Sequence, residues 1–317
     1  MRAAYARSFD ADNPLAALEV GDRPEPAPPA DDWVVVDVRA SSLNHHDLWS
    51  LRGVGLTEER LPMILGCDAA GTGPDGREVV VYPVVMAPEQ GPTWSILSEY
   101  FPGTLAERVA VPAYGLVDKP VELSFAEAAC LPTAWLTAYR MLTTKGQLPG
   151  GGSVLVQGAG GGVATAAAVI GTALGARVYA TSRDAAKRER IEALGAIAVE
   201  PGARLPERVD VVIETVGAAT FEHSMKCATR GGRIVVSGAT SGHLPKVDMR
   251  RVFALELSIL GSSMGTPDEL RDLMALCVAK GVRPVVDSEF GFSEVRDAFA
   301  KLASGDVFGK ITLDHSR

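Results

Sequence analysis

The sequence predicts an α/β protein of two domains, a β-rich first part followed by a doubly wound parallel sheet. Three observations carry that reading. Short β-branched runs bounded by Pro, Gly and Asp dominate the first hundred or so residues. From Ser124 onward strand and helix patterns alternate, and a glycine cluster, Gly158-Ala159-Gly160-Gly161-Gly162, sits between a strand and a helix. The implied boundaries are 1–123 for the first domain, with 284–317 returning to it, and 124–283 for the second.

In chain order, Pro24, Pro26, Pro28 and Pro29 exclude a helix and read as an extended segment. Residues 33–38 (WVVVDV) and 78–82 (EVVVY) are strands, and 103–112 is a turn leading into another. Ser124 and Glu127 form a capping box for a helix through Ala129. The second domain then reads as strand 153–157, a helix from Val163, strand 177–180, a charged helix 185–194, and strands 209–214 and 233–237. Beyond Pro267 come a helix through Ala279, a β segment 283–290, a helix 293–302 and a last strand 310–313.

Composition narrows the function classes. The chain has 317 residues, 47% hydrophobic and 22% charged, which are ordinary globular values. Its net charge of −8 argues against a nucleic-acid partner, because an acidic surface repels phosphate. No apolar run marks the N-terminus as a signal peptide. The longest low-polarity stretch, 163–176, is shorter than the roughly 20 residues a membrane span needs, so no membrane partner is expected. Cys67, Cys130, Cys227 and Cys277 share no CxxC pair and suit a reducing, cytoplasmic compartment.

The glycine cluster allows a tight turn and close approach of a pyrophosphate, with the N-terminus of the next helix meeting its charge. Val163 stands where a strict G-x-G-x-x-G has its last glycine. Gly158, Gly160, Gly161, Gly162 and Val163 are therefore the candidate pyrophosphate turn. NAD sites place an acid at the end of the second strand, whereas here that strand ends Thr181-Ser182-Arg183, with Lys187 one helical turn later. Ser182, Arg183 and Lys187 suit a 2′-phosphate, so the expected cofactor is NADPH; Asp184 is the one nearby carboxylate that would suit a ribose instead. Thr215, Val216, Ser237, Gly238, Ser262 and Ser263 come after strands of the same sheet, at the edge where such sheets bind ligands.

Several segments resemble one family. Ser42-Leu43-Asn44-His45-His46-Asp47-Leu48-Trp49, Leu65-Gly66-Cys67-Asp68-Ala69-Ala70-Gly71, Leu131-Pro132-Thr133-Ala134-Trp135 and the closing Gly309-Lys310-Ile311 look like a medium-chain dehydrogenase/reductase. The nearest branch is the zinc-independent, quinone oxidoreductase-like group. The resemblance implies a GroES-like β-rich catalytic domain, a Rossmann domain, a small-molecule substrate and a homodimer. It sets Asn44, Cys67 and Thr133 at the catalytic zinc-ligand positions, with Asp68 in place of a nearby Glu. Asn and Thr are poor zinc ligands, and 84–101 lacks the four cysteines of a structural-zinc lobe, so no metal is expected.

A site without zinc suits an already activated acceptor: a quinone, an enone or an enoyl thioester. The resemblance makes Asn44 a hydrogen-bond donor to substrate or cofactor, His46 a proton donor, Thr133 a neighbour of the nicotinamide, His45 a pyrophosphate contact and Lys310 a residue reaching the cofactor. Asp47 orients a neighbour, and Trp49 stands where relatives often carry a tyrosine. Dimers in this family join sheets edge to edge, which nominates the strand expected over 252–261. Two other readings stay open: a non-catalytic NADPH-binding protein, and a zinc-type alcohol dehydrogenase with substituted ligands.

Overall fold

A computed structural model describes residues 1–86 and 94–316. The chain folds as two compact units, one of Met1–Thr133, Leu270–Val278 and Val286–Arg317, the other of Ala134–Glu269 and Ala279–Val285.

The first unit is a β structure. Its seven-stranded sheet runs in the order Leu116–Asp118, Glu78–Val81, Asp68–Thr72, Trp33–Ser42, Lys310–Asp314, Val286–Gly291, and Arg108–Pro112 also pairs with Trp33–Ser42. Alternate residues of these strands point into one core: Val36 and Val38 with Val79, Val81, Val109 and Val111, all buried. The strand register fixes the neighbours of Ser42. It lies opposite Asp68 on one side and opposite Thr312 on the other. Lys310, two residues before Thr312, therefore shares its face of the sheet. The part of the 84–101 segment at 87–93 lies outside the described residues; Val84–Met86 and Trp94–Ile96 flank it as an antiparallel pair.

The second unit is a six-stranded, wholly parallel sheet of Ser153–Val156, Arg177–Thr181, Ile197–Val199, Val209–Glu214, Ala228–Val236 and Ser258–Gly261. Its spatial order is third, second, first, fourth, fifth, sixth, so the winding reverses between the first and fourth strands. In sheets of this kind ligands bind outside the carboxyl ends of the strands at that reversal. Here those ends are Val156, leading into the glycine cluster, and Glu214, leading into Thr215-Val216-Gly217. The central strands are β-branched because they are covered on both sides: Val154, Leu155, Val156, Val211, Val212 and Ile213 are all buried.

The local elements differ from expectation in three places. The strand expected over 252–261 is a helix, Met249–Ala254, and then a shorter strand, Ser258–Gly261. Asp248 decides this, because its carboxylate accepts from the Arg250 and Arg251 amides and so starts a helix where the apolar residues suggested a strand. Ile197–Val199 is a strand that its three residues were too few to announce. The fifth strand begins at Ala228 rather than 233, with Gly231 and Gly232 inside it.

Candidate active and cofactor sites

In the first unit a buried polar cluster forms where three strands meet. The Lys310 ammonium donates to the Leu43 carbonyl at 2.8 Å, Asn44 Oδ1 at 2.6 Å and Asp68 Oδ2 at 3.1 Å. Asp68 Oδ2 also accepts from Ser42 Oγ at 2.7 Å and Asn44 Nδ2 at 2.9 Å. Lys310 is 2% exposed and Asp68 0%, so the pair lies away from water. Three partners match the three protons an ammonium carries. Lys310 thus acts inside the cluster rather than reaching outward.

The same contacts decide the orientation of Asn44. Its oxygen faces a cation and its nitrogen a carboxylate, so the amide cannot flip without setting like against like. One Nδ2 hydrogen goes to Asp68, and the other makes no hydrogen bond among the described residues. Asp68 Oδ1 and Thr133 Oγ1 are buried with no partner.

Asn44 also caps the helix His45–Leu51, whose third residue, Asp47, is fully buried. Asp47 accepts from the amides of Asn44 at 2.8 Å and Gly66 at 3.0 Å, and burial raises its carboxyl to about 7. It holds the chain on either side of the site. His46 is half-buried, and burial lowers its imidazole to about 4, so it is neutral at neutral pH. Its Nε2 lies 3.8 Å from Glu99 Oε1 and 3.5 Å from Ser50 Oγ. His45 and Trp49 are exposed on the same helix.

These donors do not fit a zinc ion. A catalytic zinc takes three ligands drawn from thiolate, imidazole and carboxylate. Cys67 instead directs its thiol at the Leu97 carbonyl, 3.3 Å away, and burial pushes that thiol well above its usual range. Asn44 Oδ1 and one Asp68 oxygen already hold an ammonium, whose charge repels a divalent cation.

In the second unit the glycine cluster forms the expected turn. Gly158 and Gly160 have φ of 73° and 122°, which side chains rarely adopt, and Gly161 caps the helix Gly162–Ala173. Val163 lies in the first turn of that helix. A Cβ on Gly161 would meet nothing within 4 Å, so this side of the turn is open. The helix start supplies unpaired amides to an anion. Ser237 Oγ and Ser262 Oγ, just past the fifth and sixth strands, are buried without partners, as groups awaiting a polar ligand would be. The residues present fit a nicotinamide dinucleotide.

At the end of the second strand, Asp184 caps the helix Ala185–Ala193 and accepts from the Lys187 amide at 3.1 Å. Arg188, not foreseen from the sequence, donates to the carbonyls of Ser182 at 2.9 Å and Arg183 at 3.2 Å. The Arg183 side chain is exposed. Past the fourth strand, the Val216 amide donates to Glu214 Oε1 at 2.8 Å, and its carbonyl accepts from Ser241 at 2.7 Å. Val216 therefore offers a ligand only its side chain. Thr215 and Gly238 flank that turn, Gly238 half-buried, while Ser263 is exposed.

Known proteins match both units. The alcohol dehydrogenase GroES-like domain model matches residues 30–121, and the zinc-binding dehydrogenase model matches 196–313. The chain is a medium-chain dehydrogenase/reductase. Its two-domain fold, a GroES-like domain with a parallel-sheet Rossmann domain, is that of the superfamily. A crystal structure of an NAD-dependent alcohol dehydrogenase is similar with a TM-score of 0.89 and 34% identity, over 99% of each chain. A zinc-type alcohol dehydrogenase-like protein of Schizosaccharomyces pombe is 31% identical, covering 88% of this chain and 90% of its own. A 2-methylene-furan-3-one reductase of Solanum lycopersicum is also 31% identical, covering 89% and 72%. This medium-chain dehydrogenase/reductase is an oxidoreductase with a nicotinamide cofactor. Among its described residues no helix is long and apolar enough to cross a membrane, and no three His, Cys, Asp or Glu side chains are grouped to hold a metal ion.

Proposed function

We propose that this medium-chain dehydrogenase/reductase uses NADPH to reduce a carbon–carbon double bond conjugated to a carbonyl, or a quinone, without zinc. The observation that carries the reading is the ammonium of Lys310 held by Asn44, which the resemblance sets at a zinc-ligand position, and by Asp68, which stands in place of a nearby Glu. An amide held in one orientation can donate to the oxygen on which charge develops when an enone or quinone is reduced. Such acceptors are already electrophilic and need no Lewis acid. Kinship to a reductase of an exocyclic enone supports the same acceptor class.

Bound NADPH would supply the hydride. The glycine turn would hold its pyrophosphate, and Ser237 and Ser262 would find partners on it. Arg183, Ser182 and Lys187 would meet the 2′-phosphate; supporting this, Asp184 is engaged as a helix cap rather than facing a ribose. His46, neutral near pH 7, would pass a proton from solvent through its ring nitrogens rather than store one.

The test is cofactor oxidation followed by near-ultraviolet absorbance, with NADPH and NADH, against quinones, enones, enoyl thioesters and simple aldehydes, with and without a chelator. Faster NADPH loss with quinones or double-bond acceptors, unaffected by chelation, is expected. Activity confined to aldehydes and abolished by chelation would overturn the proposal, and binding without turnover of any acceptor would leave a non-catalytic NADPH protein.

A further inference from the structure

Beneath the reversal point of the parallel sheet runs a continuous buried hydrogen-bond chain that links two expected site residues, Gly158 and Val216, through side chains not expected at the site. It starts at the glycine turn, where the Gly158 amide donates to Thr181 Oγ1 at 3.0 Å. Thr181 Oγ1 donates in turn to Gln157 Oε1 at 2.9 Å, and Gln157 Nε2 donates to Ser224 Oγ at 3.0 Å. Ser224 Oγ donates to Glu214 Oε2 at 2.6 Å. Glu214 Oε1 closes the chain by accepting from the amides of Val216 at 2.8 Å and Gly217 at 3.0 Å, and from Thr220 Oγ1 at 2.8 Å. Glu214, Gln157 and Ser224 are 0% exposed, and no cation lies among these partners.

The protons along the chain point toward Glu214, while Gln157 Nε2 also faces His223 Nδ1, 3.0 Å away. Hydroxyl and amide links polarise one another when their donors align, so a terminal acceptor strengthens the links behind it. The chain also ties together three connections: the turn after the first strand, the end of the second strand, and the turn after the fourth. Gly158 is where they pack tightest, since a Cβ there would meet Val216 Cγ2 at 2.5 Å.

We propose that Glu214 is a positioning residue for the dinucleotide site, acting through this chain to hold the Gly158 turn and the Val216–Gly217 turn in their ligand-ready shapes. This rests on the reading of the glycine turn as a dinucleotide site. Because Glu214 is an acceptor at both oxygens, Glu214→Gln puts an N–H where an oxygen now accepts from hydroxyls, so the chain loses its terminal acceptor. The shape of the side chain is kept.

Two measurements on the full-length protein test it. Fluorescence titration with NADPH should show Glu214→Gln binding weakened by roughly tenfold to a hundredfold, the range expected for hydrogen bonds to a charged group. KM for NADPH should rise while kcat at saturating cofactor changes little. Amide hydrogen exchange on the protein without cofactor should show faster exchange at Gly158, a residue Glu214 does not touch. Ser224→Ala, which cuts the chain between Glu214 and Gln157 and leaves the carboxylate and the Thr181–Gly158 bond in place, should reproduce both effects and serves if Glu214→Gln does not fold. Unchanged exchange at Gly158 in a folded variant, or unchanged NADPH affinity, would overturn the proposal. If even the parent protein binds no dinucleotide, the cofactor reading fails, and exchange at Gly158 still decides whether Glu214 organises the turn.

Discussion

Replacing Lys310 with Met separates the effect of charge from that of shape. Methionine fills most of the space of the lysine stem but donates nothing, so it removes three hydrogen bonds from a site closed to water. Asp68 is left as an uncompensated buried carboxylate whose Oδ1 has no partner even in the parent protein. At the observed 3.1 Å and an effective dielectric of about 20, the lost attraction is about 5 kcal/mol. Mutating one member of a buried pair costs about 3–5 kcal/mol in practice. For a domain of 150–250 residues that corresponds to roughly 6–20 °C in Tm. The assay is urea and thermal unfolding of the parent, of Lys310→Met, and of Lys310→Met combined with Asp68→Asn.

The double variant is the sharper comparison. With no charge left to strand, it should recover more than half of the single variant's loss, because both remaining amides keep hydroxyl or amide partners. Turnover should fall in both, since Asn44 loses the cation that holds its oxygen. A cost below about 1 kcal/mol for Lys310→Met, the scale of an exposed pair, would refute the assignment of a buried ion pair. Further loss on removing the second charge would refute it equally.

Three further outcomes are expected. Arg183→Ala should weaken NADPH far more than NADH in a binding titration; equal losses would remove Arg183 from the 2′-phosphate. His46 and His315, both lowered by burial to about 4, and Asp47, raised to about 7, make stability depend on pH with opposing signs. Between about pH 4 and 6.5 the unfolded chain holds a proton on each histidine that the native state lacks, and the native state holds one on Asp47. From these three groups stability rises with pH by the equivalent of one proton, about 1.4 kcal/mol per unit, and His315→Phe should lower the slope in denaturant titrations. Finally, Met249, Phe253 and Ile259 are exposed on and beside Ser258–Gly261, the unpaired edge of the parallel sheet, and a homodimer through that edge should appear in sedimentation and be lost in Phe253→Glu.

The sequence was most legible where local physics decides alone. The strand at Val209–Glu214 coincides with its apolar run, and the Ser124–Glu127 capping box forms with reciprocal bonds of 3.2 and 2.8 Å. The glycine turn was readable because only glycine tolerates its φ values. Where a side chain competes with the apolar pattern, reading failed, as with Asp248 turning an expected strand into the helix Met249–Ala254. The cluster of Lys310, Asn44 and Asp68 was legible only as separate motifs. Lys310 and Asp68 are 242 residues apart, and what unites them is the register that sets Ser42 between Asp68 and Thr312. Glu214 carried one signal that could have found it: a lone acid ending a run of buried β-branched residues must meet several donors, or its burial would be prohibitive.

The cost of burying a carboxylate also joins the two sites, because each site contains one and satisfies it differently. Glu214 is met by neutral donors on its own loop and the next helix, so its bonds shape backbone turns. Asp68 is met by an ammonium from a distant strand, so the pair is neutral and its effect is to orient an amide. A metal at such a site would add positive charge at a reacting oxygen, whereas a neutral cluster adds only a directed hydrogen-bond donor. On the proposed zinc-free reading, a lone directed donor suits acceptors that arrive already polarised. On that proposal Lys310 is the residue on which the acceptor class turns, although every proton it carries is used within the protein.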